Sequence, residues 1–67
     1  MTYSKKEIAQ KLGLMMPSNR VNYKSLKAFF EEKGVLSALN MTVDQYNQRR
    51  RRFNIVESQV IEQKLLS

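Results

Sequence analysis

The sequence predicts an all-α fold, a compact bundle of four to five short helices forming one domain over residues 1–67. Three observations carry this. Tyr23, Leu26, Phe29 and Phe30 recur at helical spacing. Three segments carry a polar cap followed three residues later by Glu or Gln: Ser4 with Glu7, Thr42 with Gln45, and Asn54 with Glu57. No segment shows the two-residue alternation of a strand with β-branched enrichment.

Taken in order, Ser4-Lys5-Lys6-Glu7 starts a first helix over 5–12, with Ile8, Ala9 and Leu12 on one stripe. Gly13 stops it, because glycine takes a left-handed backbone at little cost. Residues 14–22 form a connection around Pro17-Ser18-Asn19, long for a helix–helix link. A short hairpin is the competing reading of that stretch. Asn22 caps a second helix over 23–33 that supplies most of the core and ends at Gly34. Val35–Leu39 makes one or two helical turns, and Asn40-Met41 is a turn. Thr42 caps a helix over 43–53, and Asn54 caps a last helix over 55–66.

Composition narrows function by exclusion. The 67 residues hold no His, no Cys and no Trp. A zinc site and a disulfide framework lack their ligands. No imidazole or thiolate is available for proton transfer or nucleophilic attack, so an enzyme is the least expected class and no catalytic residue is assigned. Glu31 and Glu32 are neighbours, which do not face one another on a helix. No metal, cofactor or small-molecule ligand is expected. No apolar run approaches the ~20 residues that span a bilayer, and the first residues lack a secretory leader's apolar stretch. The missing cysteines fit a cytoplasmic location. What remains is a small basic binding module of formal net charge +6.

The densest charge is the run Arg49–Arg52. Arginines near a helix end can simply oppose its dipole. Four consecutive like charges nevertheless repel one another, which points to an anionic partner. The segment Leu36–Ile55 resembles the helix-turn-helix of the Fis and NtrC type. Leu39, Asn40, Met41, Thr42, Tyr46, Phe53, Asn54 and Ile55 sit at the corresponding places. Asn40 and Asn54 replace glycines, and Arg50 replaces an apolar residue, its stem buried and its head in water.

The resemblance implies duplex DNA as partner, in preference to RNA, with the helix over 43–53 in the major groove. Asp44, Gln45 and Gln48 would then meet base edges. Thr42, Arg49, Arg51 and Arg52 would grip phosphate. The size and charge are also similar to those of regulators and architectural proteins from phages and other mobile elements.

A fainter similarity involves Lys6–Leu14, which looks like the first helix of many bacterial helix-turn-helix domains and of the winged helices of excisionases and MerR-type regulators. There Tyr23–Phe30 would be the second helix, reached by an expanded turn, with Lys24 and Lys27 on phosphate.

In the last helix, Val56, Val60, Ile61, Leu65 and Leu66 spread over about half the circumference. Val56 and Val60 are expected on the core, Ile61 and Leu65 at a homodimer interface. A two-fold dimer would read two half-sites. Two other classes compete. Asn47–Arg52 is similar to the arginine-rich helices of viral RNA-binding peptides, and the apolar face of the last helix, or Met15 and Met16, could dock on a protein partner.

Overall fold

Thr2–Ser4 (β1) and Arg52–Asn54 (β2) pair antiparallel in the computed structural model, which describes residues 1–66. Tyr3 lies opposite Phe53, Thr2 opposite Asn54, and Ser4 opposite Arg52. Five helices accompany this sheet: α1 (Lys5–Leu12), α2 (Tyr23–Glu32), α3 (Val35–Ala38), α4 (Val43–Asn47) and α5 (Ile55–Leu66). The fold is therefore mostly helical rather than all-α. Strands of three residues are too short to display the alternation by which strands are recognised in a sequence.

Each strand runs directly into a capped helix. At α1 the Ser4 hydroxyl accepts from the Glu7 N–H at 3.2 Å, and the Glu7 carboxylate accepts from the Ser4 N–H at 3.0 Å. At α5 the same exchange joins Asn54 and Glu57, both bonds at 2.8 Å. Thr42 and Gln45 form a third capping box on α4. Each box satisfies N–H groups that the first helical turn leaves without partners. Gly13 ends α1 with φ 72°, and Asn40 turns the chain between α3 and α4 with φ 52°. Asn54 keeps no such left-handed backbone and acts as a cap instead.

The connection after α1 is the hairpin that competed with an irregular loop. Met15 and Val21 form an antiparallel bridge. The Met16 N–H donates to the Arg20 carbonyl at 2.7 Å, and the Asn22 N–H to the Leu14 carbonyl at 3.0 Å. Pro17-Ser18-Asn19 closes it, with Asn19 left-handed at φ 62°, an arrangement common in three-residue hairpin loops.

The core gathers Ile8, Ala9 and Leu12 of α1 with Leu26, Phe29 and Phe30 of α2, Val35, Met41, Tyr46, Phe53 and Ile61. Phe30 is its centre: its ring lies 4.7 Å from Tyr46, 5.6 Å from Phe53 and 6.1 Å from Phe29, all in tilted or edge geometry. Lys11 ties α1 to α5, reaching the Ser58 hydroxyl at 3.4 Å and Glu62 at 3.3 Å, with its ammonium 4.2 Å from the Tyr3 ring.

Three expected positions are corrected. Ile61, assigned to a dimer interface, is 1% exposed and belongs to the core, whereas Val56, assigned to the core, is 63% exposed. The twelve-residue α5 turns Ser58 and Ile61 inward, so its buried side is not the one that carries Val56. Tyr23, placed on the core face of α2, is 63% exposed: it keeps the spacing of Leu26, Phe29 and Phe30 but occupies the first helical position, at the end of their stripe.

The largest correction concerns the helix expected over 43–53. It ends at Asn47, since Gln48 leaves the helix with φ −57° and ψ 130°. A continued helix would carry Arg50 on the same face as Tyr46 and Phe53 and hold four like charges on successive positions. The extended route instead seats Phe53, fully buried between exposed Arg52 and Asn54, against Phe30. That route also leaves Arg50 exposed, where a continued helix would bury it beside Tyr46 and Phe53 at a desolvation cost that the helix propensity of a few arginines does not offset.

Candidate nucleic-acid interface

The strand pair carries the run Arg49–Arg52 to the start of α1. A hollow of about 550 Å³ results, lined by Ser4, Lys5, Lys6, Tyr23 and all four arginines. Three structural elements meet there: the first turn of α1, the first residue of α2, and the turn Gln48–Arg51, closed by the Arg51 N–H donating to the Gln48 carbonyl at 3.2 Å. Helix N-termini present partial positive charge, which adds to that of the side chains.

The basic groups divide into those held by the fold and those left to solvent. Arg51 is held. Its guanidinium meets the Glu57 carboxylate at 2.8 Å and lies 5.3 Å from the Phe53 ring, and its buried Nε has no protein partner among the described residues. Arg52 is held as well: Nε donates to the Thr2 hydroxyl at 2.7 Å, Nη2 to the Thr2 carbonyl at 3.2 Å, and Glu7 lies 3.6 Å away. The carboxyl of Glu7 is kept below its ordinary range, first by the backbone N–H of Ser4, then by the Ser4 hydroxyl and the charges of Arg52 and Lys11, against an opposing effect of desolvation. Lys5 spans the gap between α1 and the arginine turn, donating to the Gln48 carbonyl at 3.2 Å with its ammonium 4.6 Å above the Tyr46 ring. Partial burial lowers its pKa.

Lys6, Arg49 and Arg50 are exposed, and their side chains make no hydrogen bond or ion pair among the described residues. The arrangement is thus a positively charged concavity with a rear wall of partnered cations (Arg51, Arg52, Lys5), an exposed front edge and an exposed tyrosine. It suits a polyanion bearing phosphates and apolar surface.

The other expected site residues lie elsewhere. Asp44 is exposed in the first turn of α4, where its charge favours the helix N-terminus. Gln45 and Thr42 are engaged with each other in the cap, and the backbone of Gln48 is engaged with Lys5. None of Asp44, Gln45 and Gln48 lines the hollow, and neither do Lys24 and Lys27, which are exposed on α2. Residues 48–52 form a turn and the start of a strand, so the arginines do not share one helical face. Leu65 is 44% exposed, but Ile61 does not accompany it at the surface. Lys5, Lys6 and Tyr23 were not expected in the site, because sequence spacing cannot bring them to residues 49–52 before the strand pairing is known.

Against known proteins, no family model matches the chain, and no curated protein or solved structure matches it. Among the described residues no helix is long and apolar enough to cross a membrane.

Proposed function

We propose that this protein binds nucleic acid, duplex DNA foremost, through the face made by the start of α1, Tyr23 and the Gln48–Arg51 turn. It would serve as a small regulator or architectural factor rather than an enzyme. One observation carries the reading: the β1–β2 pairing gathers six basic side chains on one hollow and leaves Lys6, Arg49 and Arg50 without side-chain partners among the described residues. Unpaired arginines in a turn repel one another at a cost that an anionic partner removes. Arg51 and Arg52 hold the turn in place; Arg49 and Arg50 take the phosphates. The expected placement of residues 43–53 as a recognition helix is replaced here, because α4 has only five residues, about 7.5 Å of helix.

The test is fluorescence anisotropy of a labelled random-sequence duplex at two salt concentrations. Wild-type binding should weaken steeply with salt. The Arg49→Ala/Arg50→Ala protein should lose about one to two from the slope of log affinity against log salt while remaining folded. A duplex that stays free at low salt, or an unchanged slope in the double variant, would overturn the proposal.

A further inference from the structure

A second hollow, of about 460 Å³, adjoins the first. Lys6 and Tyr23 line both, so these two side chains form a ridge with a concavity on each side. The far wall of the second hollow belongs to the hairpin between α1 and α2, with Met16, Asn19 and Arg20. Alternation along the hairpin's return limb buries Val21, 6% exposed, and sends Arg20 to solvent. The Arg20 side chain makes no hydrogen bond or ion pair among the described residues, and its backbone is fixed by the 2.7 Å bond to the Met16 N–H.

We propose that the hairpin is the second half of the nucleic-acid interface, with Arg20 contacting the strand opposite to the one held by Arg49 and Arg50. This rests on the nucleic-acid reading above and specifies its partner as a double strand. A ridge between two hollows with basic walls is the complement of a groove between two phosphate backbones. The major groove of B-DNA, about 12 Å wide, admits such a ridge. Tyr23 and Lys6 enter the groove, Arg49 and Arg50 meet one backbone, and Arg20 meets the other. The hairpin is then a functional insertion rather than a slack connection: it projects one cation to the side of Tyr23 away from the arginine turn.

The experiment compares wild type, Arg20→Ala, Arg20→Lys and Arg49→Ala/Arg50→Ala on a labelled random-sequence duplex and on one of its strands alone, across a salt series. Arg20→Ala should reduce the salt slope on the duplex by about one, and Arg20→Lys should restore most of it. On the single strand Arg20→Ala should change little, since only one backbone is present. Unchanged helical circular dichroism of Arg20→Ala confirms an intact fold, as expected for an unpartnered side chain. If Arg20→Ala binds duplex like wild type while Arg49→Ala/Arg50→Ala is weakened, the hairpin proposal is overturned and the arginine face stands. Equal sensitivity of the single strand and the duplex to Arg20→Ala also overturns it. If wild type itself leaves the duplex free, the nucleic-acid reading falls and the hairpin proposal with it.

Discussion

Tyr3 and Phe53 face each other across the two-stranded sheet, fifty positions apart in the chain, and this register decides where the arginines go. With Phe53 fixed opposite Tyr3, Arg52 meets Ser4 and the preceding turn projects beside the start of α1. Phe53 is fully buried against Phe30. Phe53→Ala should cost about 3–5 kcal/mol, comparable to the whole stability expected of so small a domain. Thermal denaturation should show it unfolded or nearly so at room temperature, with Phe53→Leu closer to wild type. A cooperative melt of Phe53→Ala near the wild-type temperature would show that the sheet does not organise the core.

The arginine run should split into two behaviours. Arg51 is partly buried on Glu57, whose carboxylate also caps α5. Arg51→Ala should destabilise by about 1 kcal/mol or somewhat more, whereas Arg49→Ala should stay within ±0.5 kcal/mol. Urea denaturation of the two single variants measures the difference. Equal effects would mean that the Arg51–Glu57 pair does not hold the turn.

Acid should loosen the start of α1. The folded protein holds the Glu7 pKa below its ordinary value, chiefly through the Ser4 N–H. A depressed carboxyl contributes stability that is complete above its unfolded pKa and is lost as pH falls through the folded one. Stability should therefore decline below about pH 4.5, and Glu7→Gln should flatten that part of the profile. Melting temperatures from pH 7 to pH 3 test this. A Glu7→Gln profile as steep as wild type would assign the acid sensitivity to other carboxylates.

Alkali acts on Tyr46, whose ring lies under the Lys5 ammonium. Tyr46 is buried against Phe30, and burial, helped by the charges of Glu31 and Tyr23, raises its pKa to about 12. Folding then favours the neutral phenol: the stability is complete below the unfolded pKa near 10 and is lost as pH rises from there toward 12. The phenolate absorbance of Tyr46, obtained by difference from Tyr46→Phe, should appear only as pH approaches 12. Ionisation near 10 would mean that the ring is accessible to water.

Ile61 distinguishes core from interface. At 1% exposure in one chain, Ile61→Ala should cost about 2–5 kcal/mol irrespective of protein concentration. Melting at several concentrations measures this. A loss that appears only on dilution would return Ile61 to a dimer interface.

Features set by local chemistry were legible in the sequence. The three capping boxes, the stops at Gly13 and Gly34 and the left-handed Asn40 all follow from residues within four positions of one another. The hairpin at 14–22 was legible only as an alternative, because that stretch carries a turn signal but no pattern that decides its conformation. Features set by distant pairing were not. Three residues around Tyr3 and three around Phe53 carry no period of their own, and Phe53 fell by chance at helical spacing from Tyr46. That coincidence extended α4 through the arginines and placed Gln45 and Gln48 beside them. The basic face was half visible: Arg49 stood out by composition, whereas Lys5, Lys6 and Tyr23 join it only through the sheet.

The proposed nucleic-acid face is tested most directly by a nuclear magnetic resonance titration of the isotope-labelled protein with a short DNA duplex at low salt. Amide shifts should centre on Lys5, Lys6, Tyr23 and Arg49–Arg52, extend to Arg20, and fade as salt is raised. Shifts centred instead on Asp44 and Gln45 in the first turn of α4, or no shifts at any duplex concentration, would contradict the proposed face.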